Sequence, residues 1–327
     1  MILVTGAAGF IGSNIVAELN DRGVRDVVLC DWLLDDLRWQ NLGKRIFIDF
    51  VFPEDLAGWL DRQNDVEAVI HMGANSSTTV VDGDEILRKN FLFTLRLIDW
   101  CASAKVPLVY ASSAATYGDG GNGFDDGFSL QALRRLRPLN LYGWSKHQID
   151  LVVAHRQASG GALPPKCIGL KFFNVYGQNE YHKGDMASVV CKLFGAARRG
   201  ETVTLFESHR EGVPHGGQRR DFIYVDDVVN VVMWGLETAP IVDVLNVGTG
   251  VARSFAELAE ALFSAVGKPA DIRYKPMPEV LRDRYQYFTQ ASVDRLRAAG
   301  FDRPFTTLED GVSRYVQRYL AAPDRYR

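Results

Sequence analysis

The chain is poor in cysteine. Its 327 residues hold four, Cys30, Cys101, Cys167 and Cys191, far apart and each in an apolar stretch. That spacing excludes a disulfide framework and a cysteine zinc site, and the four are expected as buried thiols. The six histidines show no ligand-like pairing, so no metal is expected. Net charge is also small: 37 Lys and Arg against 40 Asp and Glu leave −3. This argues against a nucleic-acid binder held by bulk electrostatics. No apolar run reaches membrane-spanning length, and residues 1–12 read as strand and turn rather than as a signal peptide. A cytoplasmic protein with no membrane partner is expected. Repeats, low-complexity tracts and a clean interdomain linker are lacking as well.

What is present begins at the N-terminus. The apolar run Ile2–Val4 stops at Gly6, and glycines recur at Gly6, Gly9 and Gly12. Ile15, Val16 and Leu19 then follow at helical spacing. The pattern predicts strand, tight turn and helix. Glycine permits positive φ and lets backbone approach a ligand with no Cβ in the way. The helix N-terminus offers unpaired N–H groups and partial positive charge to a pyrophosphate. Asp31 closes the next apolar run about 20 residues on, where a carboxylate meets an adenosine ribose.

Strands are expected near 45–49, 68–71 and 106–111, and a sixth over 167–173. Helices are expected from Pro53 to near Gln63, over 83–104, from Tyr142 to about Ala158, over 186–199, 254–266 and 307–320. Residues 118–138 read as a surface insertion ending in a short basic helix (Arg134, Arg135, Arg137), and 207–219 as a polar loop. The stretch 220–227 reads as a strand running into a helix capped by aspartate, and 244–250 as a further strand. Alternating short apolar strands and helices make an α/β, doubly wound parallel sheet with helices on both faces. A smaller C-terminal α/β substrate domain completes it. The expected division is 1–173 plus 221–252 for the dinucleotide-binding domain and 174–220 plus 253–327 for the substrate-binding domain. Ligands in such sheets bind at the carboxyl ends of the strands, which makes Gly6, Asp31, Asp49, Met72–Ser76 and Ser112–Ser113 the first site candidates.

Tyr142 and Lys146 are four apart near a helix start and share one face. A phenol titrates near about pH 10 unperturbed. A neighbouring ammonium and a cationic nicotinamide stabilise phenolate and bring that down. Tyrosine then becomes a usable proton acceptor for an alcohol losing hydride, and Ser113 can hydrogen-bond the reacting oxygen.

The glycine loop, Asp31, Asp49-Phe50, Gly73-Ala74, Asn90, Ser113, Tyr142 and Lys146 together resemble the extended short-chain dehydrogenase/reductase family, in its NAD-dependent epimerase/dehydratase branch. The resemblance covers essentially the full chain. It implies a Rossmann fold, a bound nicotinamide cofactor and a nucleotide-sugar substrate. It also implies cofactor contacts from Phe10, Ile11, Trp32, Arg38, Met72, Asn75, Ser76 and Val175, besides the residues just named. Dehydratases of the family carry an Asp-Glu pair just after the strand-five hydroxyl residue. Here Ala114-Ala115 stand there, which favours epimerisation or simple redox.

Four separated stretches, 173–177, 182–188, 284–290 and 299–305, are similar to the branch that inverts C6 of an ADP-linked glyceromanno-heptose. That resemblance implies an ADP-heptose substrate, a place in lipopolysaccharide-core supply, and a homo-oligomer, pentamers included. It further implies two proton acceptors, Tyr142 and Lys183, on two sides of the carbon that is oxidised and re-reduced. A helix-start dipole is expected to help Lys183 act as a base. Implied substrate contacts are Ser113, Asn174, Lys183, Asp185, Lys192, Phe206, Glu207, Ser208, His209, Arg220 and Tyr285. Arg220 suits a diphosphate through forked bonds, or else pairs structurally with Asp221 or Asp226. Pro53 stands where some members have a cofactor-contacting lysine. Asp31 favours NAD, whereas Arg38 can meet a 2′-phosphate; NADP is the expected cofactor, with NAD possible. The alternatives are a UDP-sugar 4-epimerase, which does not require Lys183, and a non-catalytic cofactor-sensing protein.

Overall fold

The computed structural model describes residues 1–282 and 285–327. Twelve strands occur among them: β1 Ile2–Thr5, β2 Val27–Cys30, β3 Asp49–Val51, β4 Ala68–His71, β5 Leu108–Ser113, β6 Cys167–Phe172, β7 Asn174–Tyr176, β8 Val203–Phe206, β9 Arg219–Tyr224, β10 Val242–Val247, β11 Ala252–Ser254 and β12 Ile272–Lys275. Seven form one sheet in the order β3-β2-β1-β4-β5-β6-β10, every pair parallel. The strand order reverses between β1 and β4, so a crevice opens beyond their carboxyl ends.

The alternation of side chains along a strand builds the two faces. Val4, Ile70, Val109 and Ile168 point to one face, where they meet Ile15, Val16 and Leu19 of the Phe10–Asp21 helix and Val228, Val229 and Val232 of the Val225–Glu237 helix. Leu3, Val28, Val69 and Leu108 point the other way, against Leu97 and Ile98 of the Phe93–Ala104 helix and Ile149 and Val153 of the Leu141–Ser159 helix. Burial on both faces explains why these strands read as unbroken apolar runs.

At Phe173 the chain leaves the large sheet. β7 joins a three-stranded sheet, β11-β9-β7, and β12 pairs with β8 in a third. Their separate core contains Val190, Leu205, Phe222, Tyr224, Leu258, Leu262, Val312 and Tyr315. β6 and β7 thus tie the two units together beside the crevice.

Several elements differ from expectation. The third strand begins at Asp49 rather than ending there, because the Asn20 carboxamide takes the Ile46 N–H (2.8 Å) and carbonyl (2.9 Å) before sheet pairing starts. β5 runs to Ser113, so both serines lie within the strand. The 83–104 helix carries a π-helical turn at Leu87–Leu92. The helix expected from Pro53 to Gln63 is confined to Leu56–Leu60. In the 118–138 insertion the helix is Leu130–Leu133, and the arginines follow it. The helix after β9 is not capped by aspartate: Tyr224 is the N-cap, and Asp226 and Asp227 lie in the first turn. Ser188 caps the Val189–Arg199 helix, three residues later than expected, after a 3-10 turn at Tyr181–Met186.

Candidate active site

β1 gives way to a turn in which two glycines are sterically required. Gly6 has φ +65°, and a Cβ there would stand 2.6 Å from the Gly73 nitrogen. A Cβ on Gly12 would stand 2.0 Å from the Gly6 carbonyl oxygen. Gly9 is the N-cap of the Phe10–Asp21 helix and makes no side-chain cap. The first residues of that helix, Phe10, Ile11 and Gly12, line a cavity of about 1040 Å³. Asp31 directly follows β2; its carboxylate accepts from the backbone N–H of Ala8 (2.9 Å) and of Trp32 (2.8 Å).

The cavity brings together Gly6, Gly9, Phe10, Ile11, Gly12, Asp31, Trp32, Arg38, Met72, Gly73, Ala74, Asn75, Ser76 and Val175 with Ser113, Tyr142, Lys146, Asn174 and Lys183. Three residues expected to touch cofactor do not line it. Asp49 accepts the Trp59 indole N–H (2.8 Å) and Phe50 lies edge-on to Phe52, so both serve the sheet edge. Asn90 is buried and acts one step back: its carbonyl accepts the Asn75 N–H (2.8 Å), while its amide donates to the Asn75 carbonyl (2.9 Å) and the Ser145 hydroxyl (3.1 Å).

Ser113, Tyr142 and Lys146 meet because the Leu141–Ser159 helix docks closely on the turn after β5. A Cβ on Gly143 would stand 2.6 Å from the Ala115 carbonyl oxygen. Asn140 caps this helix by accepting from Gly143 N–H (2.8 Å). The Ser113 hydroxyl oxygen accepts from Ala115 N–H (3.1 Å), which leaves its proton for the Tyr142 phenol. Burial raises the Tyr142 phenol, and the Ser113 hydrogen bond opposes that rise. Burial brings the Lys146 ammonium down to about 8, against the pull of Asp150. Lys146 Nζ is buried and has no hydrogen-bond partner among the described residues. A cofactor's ribose hydroxyls would satisfy an orphaned buried ammonium of this kind. With the glycine turn and Asp31, the residues present suit a nicotinamide dinucleotide.

Behind these groups lies a network not anticipated from the sequence. Lys171 Nζ donates to Asp150 Oδ2 (2.7 Å) and to the Thr116 hydroxyl (2.7 Å), and Thr116 in turn donates to the Ser113 carbonyl (2.9 Å). Ser112 donates to Asp150 as well (2.8 Å). The signal for it was a lysine within the apolar run Ile168–Phe173 and an aspartate one turn after Lys146.

Lys183 enters from another segment, the 3-10 turn Tyr181–Met186. The carboxylate of Glu180 staples this segment, accepting from Gly177 N–H (3.3 Å), Ser188 N–H (2.6 Å) and the Ser188 hydroxyl (2.6 Å). Lys183 Nζ lies 5.3 Å from the centre of the Phe10 ring. Its ammonium is brought down, but by burial rather than by a helix start, with Glu180 opposing. Lys183 sits late in a short turn, so the expected dipole is not the cause.

The remaining substrate candidates stand outside the cavity. Asp185 is exposed, and its carbonyl accepts from Lys192 Nζ (3.0 Å). Phe206 ends β8 and Glu207 follows it. Ser208 N–H donates to His215 Nδ1 (3.0 Å), and His209 lies edge-on to Tyr287. The Arg220 guanidinium is buried between the rings of Phe255 (5.7 Å) and Tyr285 (5.1 Å). It forms no ion pair with Asp221 or Asp226: Asp221 accepts from Thr249, Gly250 and Ala291 N–H groups, and Asp226 accepts from Gln178. Tyr285 also lines a smaller hollow of about 330 Å³ with Arg210 and Tyr287. Arg284, at the head of the 284–290 stretch, lies outside the described residues.

The chain is similar to known proteins over its whole length. A protein 45% identical over 329 residues, covering 100% of both chains, is the ADP-L-glycero-D-manno-heptose-6-epimerase of Nitratidesulfovibrio vulgaris. The protein of the same name from Fusobacterium nucleatum is 43% identical, again over 100% of both chains. Among solved structures, the Helicobacter pylori ADP-L-glycero-D-manno-heptose-6-epimerase superposes with a TM-score of 0.79 at 28% identity, covering 97% of this chain and 95% of that one. The Thermus thermophilus UDP-glucose 4-epimerase in complex with NAD superposes with a TM-score of 0.74 at 29% identity, covering 96% and 97%. Residues 2–248 match the model of the NAD dependent epimerase/dehydratase family. With that match over most of the chain and full-length relatives at 43–45% identity, the protein belongs to the NAD-dependent epimerase/dehydratase family.

Proposed function

We propose that this protein inverts C6 of an ADP-linked glyceromanno-heptose, interconverting the D-glycero and L-glycero epimers through a 6-keto intermediate. The observation that carries the reading is the pairing of Tyr142 and Lys183. They come from unrelated segments yet line one cavity. Inversion at an exocyclic carbon presents its oxygen first on one side and then on the other, and each orientation needs its own proton acceptor. A ring 4-epimerase needs only the Ser113, Tyr142 and Lys146 set.

A bound nicotinamide dinucleotide supplies hydride acceptance and return at C6. Gly6–Gly12 and the Phe10–Asp21 helix N-terminus would hold its pyrophosphate, Asp31 would meet its adenosine ribose, and Lys146 would take its other ribose. Tyr142, helped by the Ser113 hydroxyl, accepts the C6 hydroxyl proton in one orientation. Lys183, whose ammonium burial has weakened, exchanges it in the other. Ala114-Ala115 offer no acid or base for loss of water, so the ketone is reduced rather than dehydrated. Arg220, with aromatic walls and no carboxylate partner among the described residues, takes the substrate diphosphate.

Proton NMR of ADP-D-glycero-D-manno-heptose incubated with the protein tests this. The expected result is conversion to the L-glycero epimer, slowed by roughly 10²–10⁴-fold in Tyr142→Phe and in Lys183→Met. Interconversion of UDP-glucose and UDP-galactose instead, unaffected by Lys183→Met, would replace this reading with the 4-epimerase.

A further inference from the structure

The turn that carries Lys183 has an open side. Gly184, Asp185 and Met186, which follow Lys183, are exposed, and Gly184 breaks the turn with φ +53°. Glu180 fixes the two ends of the loop, at Gly177 and Ser188. Just before the turn, Asn14 donates to the Gln178 carbonyl (3.0 Å) and the Asn179 amide donates to the Ser13 hydroxyl (3.0 Å). The turn itself is gripped through Tyr181, by residues from the far end of the chain. The Tyr181 hydroxyl donates to the Arg325 carbonyl (2.6 Å). The Arg325 guanidinium lies 3.6 Å from the centre of the Tyr181 ring, well within cation–π range. Tyr326 packs edge-on to the same ring at 5.3 Å, and Tyr315 stacks on it at 6.4 Å.

Residues 324–327 are in turn fastened to the unit built on the large sheet. Arg327 Nη2 donates to Glu18 (2.8 Å) and to Asp21 (3.1 Å) on the Phe10–Asp21 helix, and Nη1 stands 3.5 Å from Asp226 on the Val225–Glu237 helix. The Arg327 backbone N–H donates to the side-chain carbonyl of Asn179 (3.1 Å). Lys44 pairs with Asp324 (2.6 Å). A cation shared among three carboxylates holds its place better than an isolated surface pair does. The chain reaches this point from the Leu308–Tyr315 helix, whose Val312 and Tyr315 lie in the core of the smaller unit. Residues 324–327 therefore run from one unit to the other and meet Tyr181 on the way.

We propose that residues 324–327 are a strap that positions Lys183, with Tyr181 and Arg327 as its positioning residues. The inference rests on the reading of Lys183 as the second proton acceptor. Neither Tyr181 nor Arg327 lines the cavity. Tyr181 acts through the backbone two residues before Lys183, and Arg327 acts by fixing the strap and Asn179. A displacement of about 1 Å at a reacting group costs on the order of 10²-fold in rate. Tyr142 is held separately, by the docking of the Leu141–Ser159 helix on the turn after β5. Loosening the strap weakens one proton acceptor and spares the other. Each epimer of the substrate presents its C6 hydroxyl to one of the two acceptors when it is oxidised, so the damage falls on one epimer.

The test compares the native full chain with Arg327→Ala and with Tyr181→Phe. The first removes an end-of-strap side chain and the second keeps the aromatic ring, so the fold should stand, and thermal unfolding checks that. ADP-D-glycero-D-manno-heptose and its L-glycero epimer are each mixed rapidly with protein loaded with nicotinamide dinucleotide, and the absorbance of reduced nicotinamide is followed. In either variant the oxidation of one epimer should slow by about 10–100-fold, while that of the other keeps the native rate. Backbone amide hydrogen exchange is a second readout, independent of turnover: residues 181–187 should exchange faster in Arg327→Ala, and residues 142–146 should not. Equal slowing of both epimers, slowing of neither, or unchanged exchange over 181–187 would overturn the proposal. A native protein that oxidises neither epimer would overturn the function on which the proposal rests, and the proposal with it.

Discussion

Lys171 and Asp150 form an ion pair of 2.7 Å in which neither side chain has any solvent exposure. The pair sits directly behind the Ser113–Tyr142–Lys146 wall. From it, Thr116 reaches the Ser113 carbonyl, and Asp150 holds up the protonation of Lys146 one turn earlier on its helix. A buried pair of this kind is weak support for stability as a whole, yet removal of one partner strands the other. Asp150→Ala is expected to cost about 3–5 kcal/mol in urea unfolding. Asp150→Leu combined with Lys171→Met should recover most of that, while activity stays depressed because Lys146 has lost its counter-charge. A cost below about 1 kcal/mol for Asp150→Ala would mean that the pair is not the strut described here.

The pH profile follows from Lys146. Burial depresses its ammonium to about 8, so the charged form is present below that pH and is lost above it. In the proposed reaction Tyr142, whose phenol burial raises, would need that charge to become a base. The ratio kcat/KM should therefore fall on the alkaline side of a midpoint near about pH 8. Lys146→Arg keeps a positive charge throughout. It is expected to be slower but to lack the alkaline limb, and persistence of the limb in that variant would assign it to another group.

Asn90 offers a test of positioning rather than contact. It ties the loop after β4 to the helix that carries Tyr142, through Asn75 and Ser145, and Ser145 donates to the Tyr142 carbonyl (2.7 Å). Asn90→Ala leaves the Asn75 backbone groups unpaired, at about 1–3 kcal/mol. Thermal unfolding should show that loss, and cofactor affinity should fall with it although Asn90 does not line the cavity. Unchanged affinity would make Asn90 a purely structural residue.

Much of this arrangement was legible in the sequence, for reasons that are local. Gly6 and Gly12 are spaced by the turn they form. Asp31 closes an apolar run, and Tyr142 and Lys146 share a helix face four residues apart. What was not legible depends on partners distant in the chain. Asp49 looked like a cofactor contact until Trp59 took its carboxylate. The third strand moved because Asn20 captures the Ile46 backbone. Lys183 owes its weakened ammonium to burial in the assembled cavity, which no dipole argument from a short turn could supply. The fork of Arg38 onto Asp36, two residues earlier, is visible only once the 3-10 turn has folded.

The central claim is oxidation and re-reduction at one carbon, with Tyr142 and Lys183 on its two sides. Its most direct test is the fate of hydrogen at C6. ADP-D-glycero-D-manno-heptose deuterated at C6 is converted in ordinary water and the product is read by NMR and mass spectrometry. Hydride that leaves C6 and returns within one closed site keeps its label, so the L-glycero product should retain deuterium at the inverted carbon. Inversion with loss of deuterium to solvent would mean proton abstraction in place of hydride transfer, and would contradict the account.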